Sequence, residues 1–216
     1  MAVPEIIGSI RSTYTRAACM VCEEKAIDYV LTERPLHAPE ILAIHPFGKM
    51  PVLRHGDAEI FESKAIATYL DLSFPAPFVF PSDPRRAALT EQWVSLVNTM
   101  MDRTLIRTYI FAYIAPGTAD RSPDRSAIEA VMPAVREQLR VLDKAVASTG
   151  FLVDDQFTFA DINLMPILYR VRQFPEGAAA LAAASHLARY YDNHAMRPSF
   201  VRTTPPPGPP GRAKPA

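Results

Sequence analysis

An α/β amino-terminal unit followed by an all-α unit is the fold class predicted by three observations. Short β-branched and aliphatic runs alternate with helix-forming stretches up to about residue 72; residues 73–84 carry four prolines and no helical period; and beyond them apolar residues recur at helical spacing. The expected organisation is a first domain over 1–76, a linker over 77–84, a helical domain over 85–204 and a proline-rich disordered tail over 205–216.

Residues 3–8, Val-Pro-Glu-Ile-Ile-Gly, predict a first strand ended by Gly8, with Pro4 tolerated near its start. From Thr13 to Ile27, Ala17, Met20, Val21, Glu24 and Ala26 include a mostly apolar face at helical spacing. Tyr29 to Thr32 is a second strand, and Ala38 to Ile44 is short, helical or irregular. Val52-Leu53-Arg54 and Glu59-Ile60-Phe61 flank the turn residues His55-Gly56-Asp57, and a helix from Ser63 to about Leu72 closes the unit.

In the second unit, Leu89, Trp93, Leu96, Val97 and Met100 predict one buried stripe, and Ile128, Val131, Val135, Leu139, Leu142 and Val146 another. Ser122 as cap and Pro123 in the first turn suit the start of that second helix, with Pro133 expected to kink it or mark a later start. Phe157-Thr158-Phe159-Ala160-Asp161-Ile162 predicts a capped helix, Thr158 being the N-cap and Asp161 reaching back to it. A last helix runs from Leu187 to Met196, stopped by Arg197-Pro198. The tail from Thr203 to Gly211, with a P-x-x-P spacing at Pro206 to Pro209, has nothing to bury and reads as extended or disordered.

The 216 residues carry 23 basic and 23 acidic side chains, so no net field exists to hold nucleic acid or an anionic membrane, and a small ligand is expected. No apolar run is long enough to span a bilayer, and Met1-Ala2-Val3-Pro4-Glu5 lacks the basic and apolar regions of a signal peptide. The cytoplasm is the expected compartment. Cys19 and Cys22 have redox-pair spacing, but they fall about two turns into the first helix, where no helix N-terminus lowers a thiol pKa. Both are expected to be packed, inert thiols.

The stretch that carries chemistry is His45-Pro46-Phe47-Gly48-Lys49-Met50-Pro51-Val52-Leu53, followed by Ile60-Phe61-Glu62-Ser63-Lys64-Ala65-Ile66. Pro51 cannot donate to a sheet ladder and belongs at a strand's first residue, where a cis peptide is tolerated. Met50 can then present its backbone outward to an extended peptide. Glu62-Ser63 opens a helix whose first amides, together with the Ser63 hydroxyl, favour a carboxylate. An ordinary hairpin and a helix capped by Ser63 would account for either half alone.

Both halves in this order resemble the tripeptide-binding signature of the glutathione transferase family. The resemblance covers residues 3–202 and is strongest at 45–70 and 157–162. It implies a thioredoxin-like first domain, glutathione as co-substrate, a small hydrophobic electrophile and a homodimer. Ser12-Thr13-Tyr14-Thr15-Arg16 resembles the serine-type classes, particularly the phi class, in which a serine stands four residues before an arginine. The resemblance assigns the thiolate contact to Ser12, with Thr13 and Tyr14 as further candidates and helix capping as the alternative role of Ser12. It pairs Met50, beside Pro51, with the cysteinyl backbone, gives the γ-glutamyl end to Glu62 and Ser63, and puts Lys49 and His37 near the glycyl carboxylate. His37 stands where the phi enzymes usually show lysine, and His45 replaces the common asparagine.

A thiol pKa near 8.5 brought to roughly 6.5 requires about 2.7 kcal/mol, the order of one hydroxyl hydrogen bond to an anion plus a helix N-terminus. The second substrate is expected between the domains, with Met100, Met101, Tyr109, Phe111 and Tyr113 as apolar material and Arg11, Arg103 and Arg107 as anion contacts. Arg16 is expected to be structural. Isomerisation, dehalogenation and ether cleavage would use the same thiolate, and a non-catalytic ligand- or protein-binding module is the rival function.

Overall fold

Four short strands form one mixed sheet in the order β2-β1-β3-β4, in a computed structural model that describes residues 2–207. β1 (Glu5–Gly8) runs parallel to β2 (Val30–Glu33) and antiparallel to β3 (Val52–His55), which forms a hairpin with β4 (Ala58–Phe61). The hairpin closes through only Gly56 and Asp57, so His55 and Ala58 extend the pairing beyond the expected runs. Successive side chains alternate between faces. Ile6 and Leu53, paired across β1 and β3, therefore pack under α1 (Thr13–Glu24) and α3 (Ser63–Ser73), whereas Ile7 and Val52 pack against Ile41 of the single-turn α2 (Pro39–Leu42). This is the thioredoxin-like arrangement. α1 stops at Glu24, short of Ile27, because Lys25 turns away to end the helix and Ala26 takes a φ of 52°.

Lys25 also explains why the proline-rich connection is fixed. Its fully buried ammonium lies 3.0 Å from Asp71 and donates to the carbonyls of Pro75 and Pro77 at 3.0 and 2.8 Å. Asp71 accepts from the amides of Val79 and Phe80 at 2.9 and 3.2 Å. Each charge thus has hydrogen-bond partners besides the other, the condition under which a buried ion pair is tolerated. The connection ends at Asp83, which caps α4 (Pro84–Leu96) by accepting from the Arg86 amide at 2.9 Å, with Pro84 in the first turn.

α4 continues through an over-wide, π-type stretch (Val97–Ile110) into α5 (Phe111–Ile114). The stripe expected on this helix is displaced: Thr90, Val94, Val97, Met101 and Leu105 are buried, while Met100 is exposed. α6 (Arg125–Val146) starts later than Ser122-Pro123, because Asp124 is the cap and accepts from the Ala127 amide at 3.0 Å. It begins well before Pro133, which it accommodates in its interior, and it buries Ile128, Met132, Val135, Leu139, Leu142 and Val146. Val131 is half-exposed, and Met132 takes its place in the buried row.

α7 (Phe159–Arg172) crosses the centre of the helical domain and carries the expected capping box. Asp161, fully buried, accepts from the amides of Thr158 and Leu152 at 2.9 and 3.0 Å and from the Tyr190 hydroxyl at 2.9 Å, so it joins the helix start to a preceding loop and to α9 (Ser185–Ala195). α8 (Pro175–Ala183) and α10 (Pro198–Arg202) are additional to the sequence expectation. Both open on a proline, a residue that stops one helix and suits the first turn of the next.

Arg16 joins the two domains. Almost wholly buried, its guanidinium lies 3.9 Å from the centre of the Phe200 ring and 4.6 Å from that of Tyr169, and donates to the Phe200 carbonyl and Thr204 hydroxyl at 2.9 and 3.0 Å. Beyond it, Pro205 is buried and the carbonyls of Pro206 and Pro207 accept from Arg11 at 3.0 and 3.4 Å. The tail's first residues are therefore docked rather than disordered; the rest of it, Pro209 included, lies outside the described residues.

Candidate functional site

The β1–α1 turn sets one wall of the site. A side chain on Gly8 would come within 2.7 Å of the Thr15 hydroxyl and 3.1 Å of Met50 Cβ, so glycine lets the helix start close against the strand end. Ser12 caps α1, its Oγ accepting from the Thr15 amide at 3.4 Å. A hydroxyl has one donor and two acceptor positions. Capping uses an acceptor, and among the described residues the O–H has no acceptor of its own, so capping and donation to a ligand are compatible. Thr13 is buried beside it. Tyr14 faces the cavity, and burial, followed by the nearby Asp102 charge, raises its hydroxyl pKa and keeps it protonated.

Opposite lies the loop into β3. The Met50–Pro51 peptide bond is cis, and among the described residues neither the N–H nor the C=O of Met50 has a backbone partner. Gly48 takes a φ of 62°, and a side chain there would come within 2.5 Å of His37 Nδ1. His37 donates its own amide to the Gly48 carbonyl at 3.0 Å, which holds the two loops together.

The start of α3 forms the third wall. Ser63 is not the cap; Glu62 is, with φ 69° and ψ 119° and no side-chain capping bond. Such a conformation costs a non-glycine residue about 1–3 kcal/mol and concentrates at functional sites. Ser63 is buried with its hydroxyl at the cavity, while the Glu62 carboxylate is largely exposed. His45, the departure from the common asparagine, supports this corner. Its Nδ1 accepts from the Phe47 amide at 3.0 Å, leaving Nε2 as the N–H position, 3.7 Å from Glu62 Oε1.

These walls enclose a cavity of about 930 Å³ onto which Ser12, Thr13, Tyr14, His37, Lys49, Met50, Pro51, Glu62 and Ser63 all open. The helical domain closes it with Asn98, Asp102, Ile106, Ile110 and Ile114, and with Arg107 and Phe111. Every fourth residue is used from 98 to 114. In an ideal α-helix each such step overshoots a turn by about 40°, so the row would wind roughly 160° round the axis. Widening the turns holds it nearer one face, and π-type segments recur at functional sites for such reasons.

Two expected pocket residues are elsewhere. Tyr109 is fully buried, its hydroxyl accepting from the Gly177 amide at 2.7 Å. Tyr113 stacks on Phe174 with ring centres 4.2 Å apart and donates to Glu176. Both point toward α8, which the apolar pattern had not revealed, because Glu176 and Gly177 offer their hydroxyls polar partners there. Met100 and Arg103 are also absent from the lining, as is Met101, which is buried in the core, whereas Arg11 and Arg107 belong to it with the unexpected Leu36 and Arg170. Arg170 lies 158 positions from Ser12, so no local pattern marks it. Cys19 and Cys22 are buried away from the cavity, and burial raises both thiols, Cys19 to about 12. Among the described residues no group of His, Cys, Asp and Glu could hold a metal, and no helix is long and apolar enough to cross a membrane.

Family models match both parts of the chain: the glutathione S-transferase N-terminal domain over residues 7–78 and the C-terminal domain over 101–198. Glutathione S-transferase 3 of Zea mays is 28% identical over 94% of this chain and 94% of its own length. A theta class glutathione S-transferase from Xanthomonas axonopodis pv. citri, solved with glutathione bound, superposes with a TM-score of 0.79 at 25% identity, covering 94% of this chain and 97% of that one. A glutathione transferase from Populus trichocarpa has the same fold, with a TM-score of 0.83, 24% identity and coverage of 93% and 97%.

Proposed function

The chain belongs to the glutathione S-transferase family, and from that premise we propose that it uses Ser12 to hold the glutathione thiolate for attack on a small hydrophobic electrophile. In this reading the peptide backbone of glutathione pairs with Met50, its γ-glutamyl end meets Glu62 and Ser63, and its glycyl carboxylate lies toward Lys49 and His37. Residues 1–76 supply the glutathione half, 77–84 the connection and 85–204 the wall facing the electrophile. A cytoplasmic homodimer completes the proposal, in keeping with the family.

One observation carries the reading: a hydroxyl whose proton is uncommitted, an unpaired backbone residue and a helix start open onto the same cavity. The thiol gives its proton to solvent as glutathione binds, and the Ser12 O–H donates to the resulting sulfur anion. The anion then attacks the electrophilic carbon and the leaving group departs with the bonding pair. The test is ultraviolet difference titration of enzyme-bound glutathione, followed by turnover of 1-chloro-2,4-dinitrobenzene. A bound thiol pKa at least one unit below that of free glutathione, with turnover, supports the reading. An unshifted pKa without turnover would assign the fold to the non-catalytic binding module.

A further inference from the structure

We propose that the electrophilic substrate carries an anionic group, a carboxylate on an apolar body, which is seated between Arg11 and Arg170. The inference rests on the transferase reading and adds the substrate's charge to it. Lys64 is paired with Glu91, and Arg107 donates to Asp102 at 3.0 Å, so two of the cations that line the cavity are already neutralised. Lys49 lies at the glutathione side. Arg11 and Arg170 remain, and among the described residues neither is ion-paired with a carboxylate: Arg11 donates to the Pro206 and Pro207 carbonyls, and Arg170 to the side-chain oxygen of Gln173 at 3.0 Å.

Arg11 directly precedes Ser12 and so stands at the thiolate end of the cavity. Arg170 comes to it from α7 of the helical domain. Both line the one cavity, and burial, together with the Arg11 charge, lowers the Arg170 pKa. Two half-buried like charges facing one cavity form a costly arrangement in the empty protein, and an anion between them relieves it. Guanidinium groups suit a carboxylate because their donors match its planar pair of oxygens. Ile106, Ile110, Phe111 and Ile114 provide the apolar surface for the rest of the molecule. The pair also offsets the repulsion between an anionic substrate and the thiolate that must attack it.

The test compares 4-chloro-3,5-dinitrobenzoate with its neutral carboxamide. In either reaction the thiolate forms a bond to the ring carbon bearing chlorine and chloride leaves with the electron pair; the carboxamide is the more activated ring, so a preference for the carboxylate cannot come from intrinsic reactivity. The carboxylate should show a kcat/KM roughly tenfold higher, mainly through KM, and the ratio should fall about tenfold in Arg170→Met and be largely retained in Arg170→Lys. Should Arg170→Met fail to fold, calorimetry on the unaltered protein saturated with S-methylglutathione decides the matter. Unreactive 3,5-dinitrobenzoate should bind at least several-fold more tightly than 3,5-dinitrobenzamide, and added salt should narrow the gap. Equal binding of acid and amide, or a ratio unmoved by Arg170→Met, would overturn the proposal while leaving the transferase reading intact. Failure of S-methylglutathione to bind would instead overturn the reading on which it rests.

Discussion

In the proposed reading Ser12 has two tasks for one oxygen, and the two can be separated by experiment. Its acceptor position caps α1 at 3.4 Å from the Thr15 amide, and among the described residues its proton has no acceptor, which leaves it for the sulfur of the proposed complex. Ser12→Ala should raise the pKa of bound glutathione by roughly one to two units, the equivalent of about 1.5–3 kcal/mol for a hydrogen bond to a charged group. Turnover near neutral pH should fall by a comparable factor, and the defect should shrink at higher pH, where solvent deprotonates the thiol without help. A defect of equal size at every pH would point to lost capping. At the opposite end of the ligand, Ser63→Ala should weaken glutathione binding by about 1.5–3 kcal/mol, measured by calorimetry. Unchanged affinity would remove Ser63 from the site. His45 shows how a departure from a motif is accommodated: its buried ring accepts a local amide and turns its other nitrogen toward Glu62.

Among the elements, the junction of α5, α6 and α8 is held by Glu176, which accepts from Tyr113 and is paired with Arg125. The Tyr113 hydrogen bond, assisted by Arg125, lowers its carboxyl pKa from 4.5 to about 2. A depressed acid binds fewer protons in the folded than in the unfolded state, so its contribution is complete above the ordinary value and is lost as pH falls from 4.5 toward about 2. Urea unfolding should therefore find Glu176→Gln less stable than the parent at pH near 5, with the difference narrowing as the parent is acidified. A constant difference would mean that packing rather than charge holds the junction. The start of the tail is a second case. Ending the chain after Thr204 removes a buried proline and both carbonyls on Arg11, and should lower the melting temperature by about 2–4 °C for each kcal/mol lost. Ending it after Pro207 should leave melting unchanged, as a proline- and glycine-rich remainder has little to bury. Equal melting of both truncations would show the docked prolines to be dispensable.

At the scale of the molecule, one contiguous core runs from Ile6 and Leu53 of the sheet through α1 to Ile162 and Leu168 of α7. Arg16 and the Glu24–Arg197 ion pair, at 2.7 Å, cross the same junction. The two domains should therefore unfold together. The single tryptophan, Trp93, lies on α4 in the helical domain, whereas the proposed glutathione contacts lie mostly in the other. Glutathione at 100 times its dissociation constant should stabilise both by about 2.7 kcal/mol, so that Trp93 fluorescence and far-ultraviolet circular dichroism shift together. A Trp93 transition unmoved by glutathione would mean that the domains melt independently.

What the sequence by itself determined is what neighbouring residues decide among themselves. The strands at Ile6-Ile7 and Val52-Leu53, the caps at Ser12 and Thr158 with Asp161, and the motifs Met50-Pro51 and Glu62-Ser63 each need only a few adjacent side chains. What only the tertiary structure decided depends on partners far along the chain. Tyr109 and Tyr113 are drawn from the cavity because α8 brings them Glu176 and Gly177, and Arg170 enters it because α7 crosses beside the β1–α1 turn. On the helix after Pro84 the buried row is Thr90 and Val94 rather than Leu89 and Trp93, a choice made by the packing of α4 against α7, and from Val97 to Ile110 the turns widen. That widening lets Asn98, Asp102, Ile106, Ile110 and Ile114 face one cavity, an arrangement in which packing across the cleft prevails over the intrinsic period of the helix.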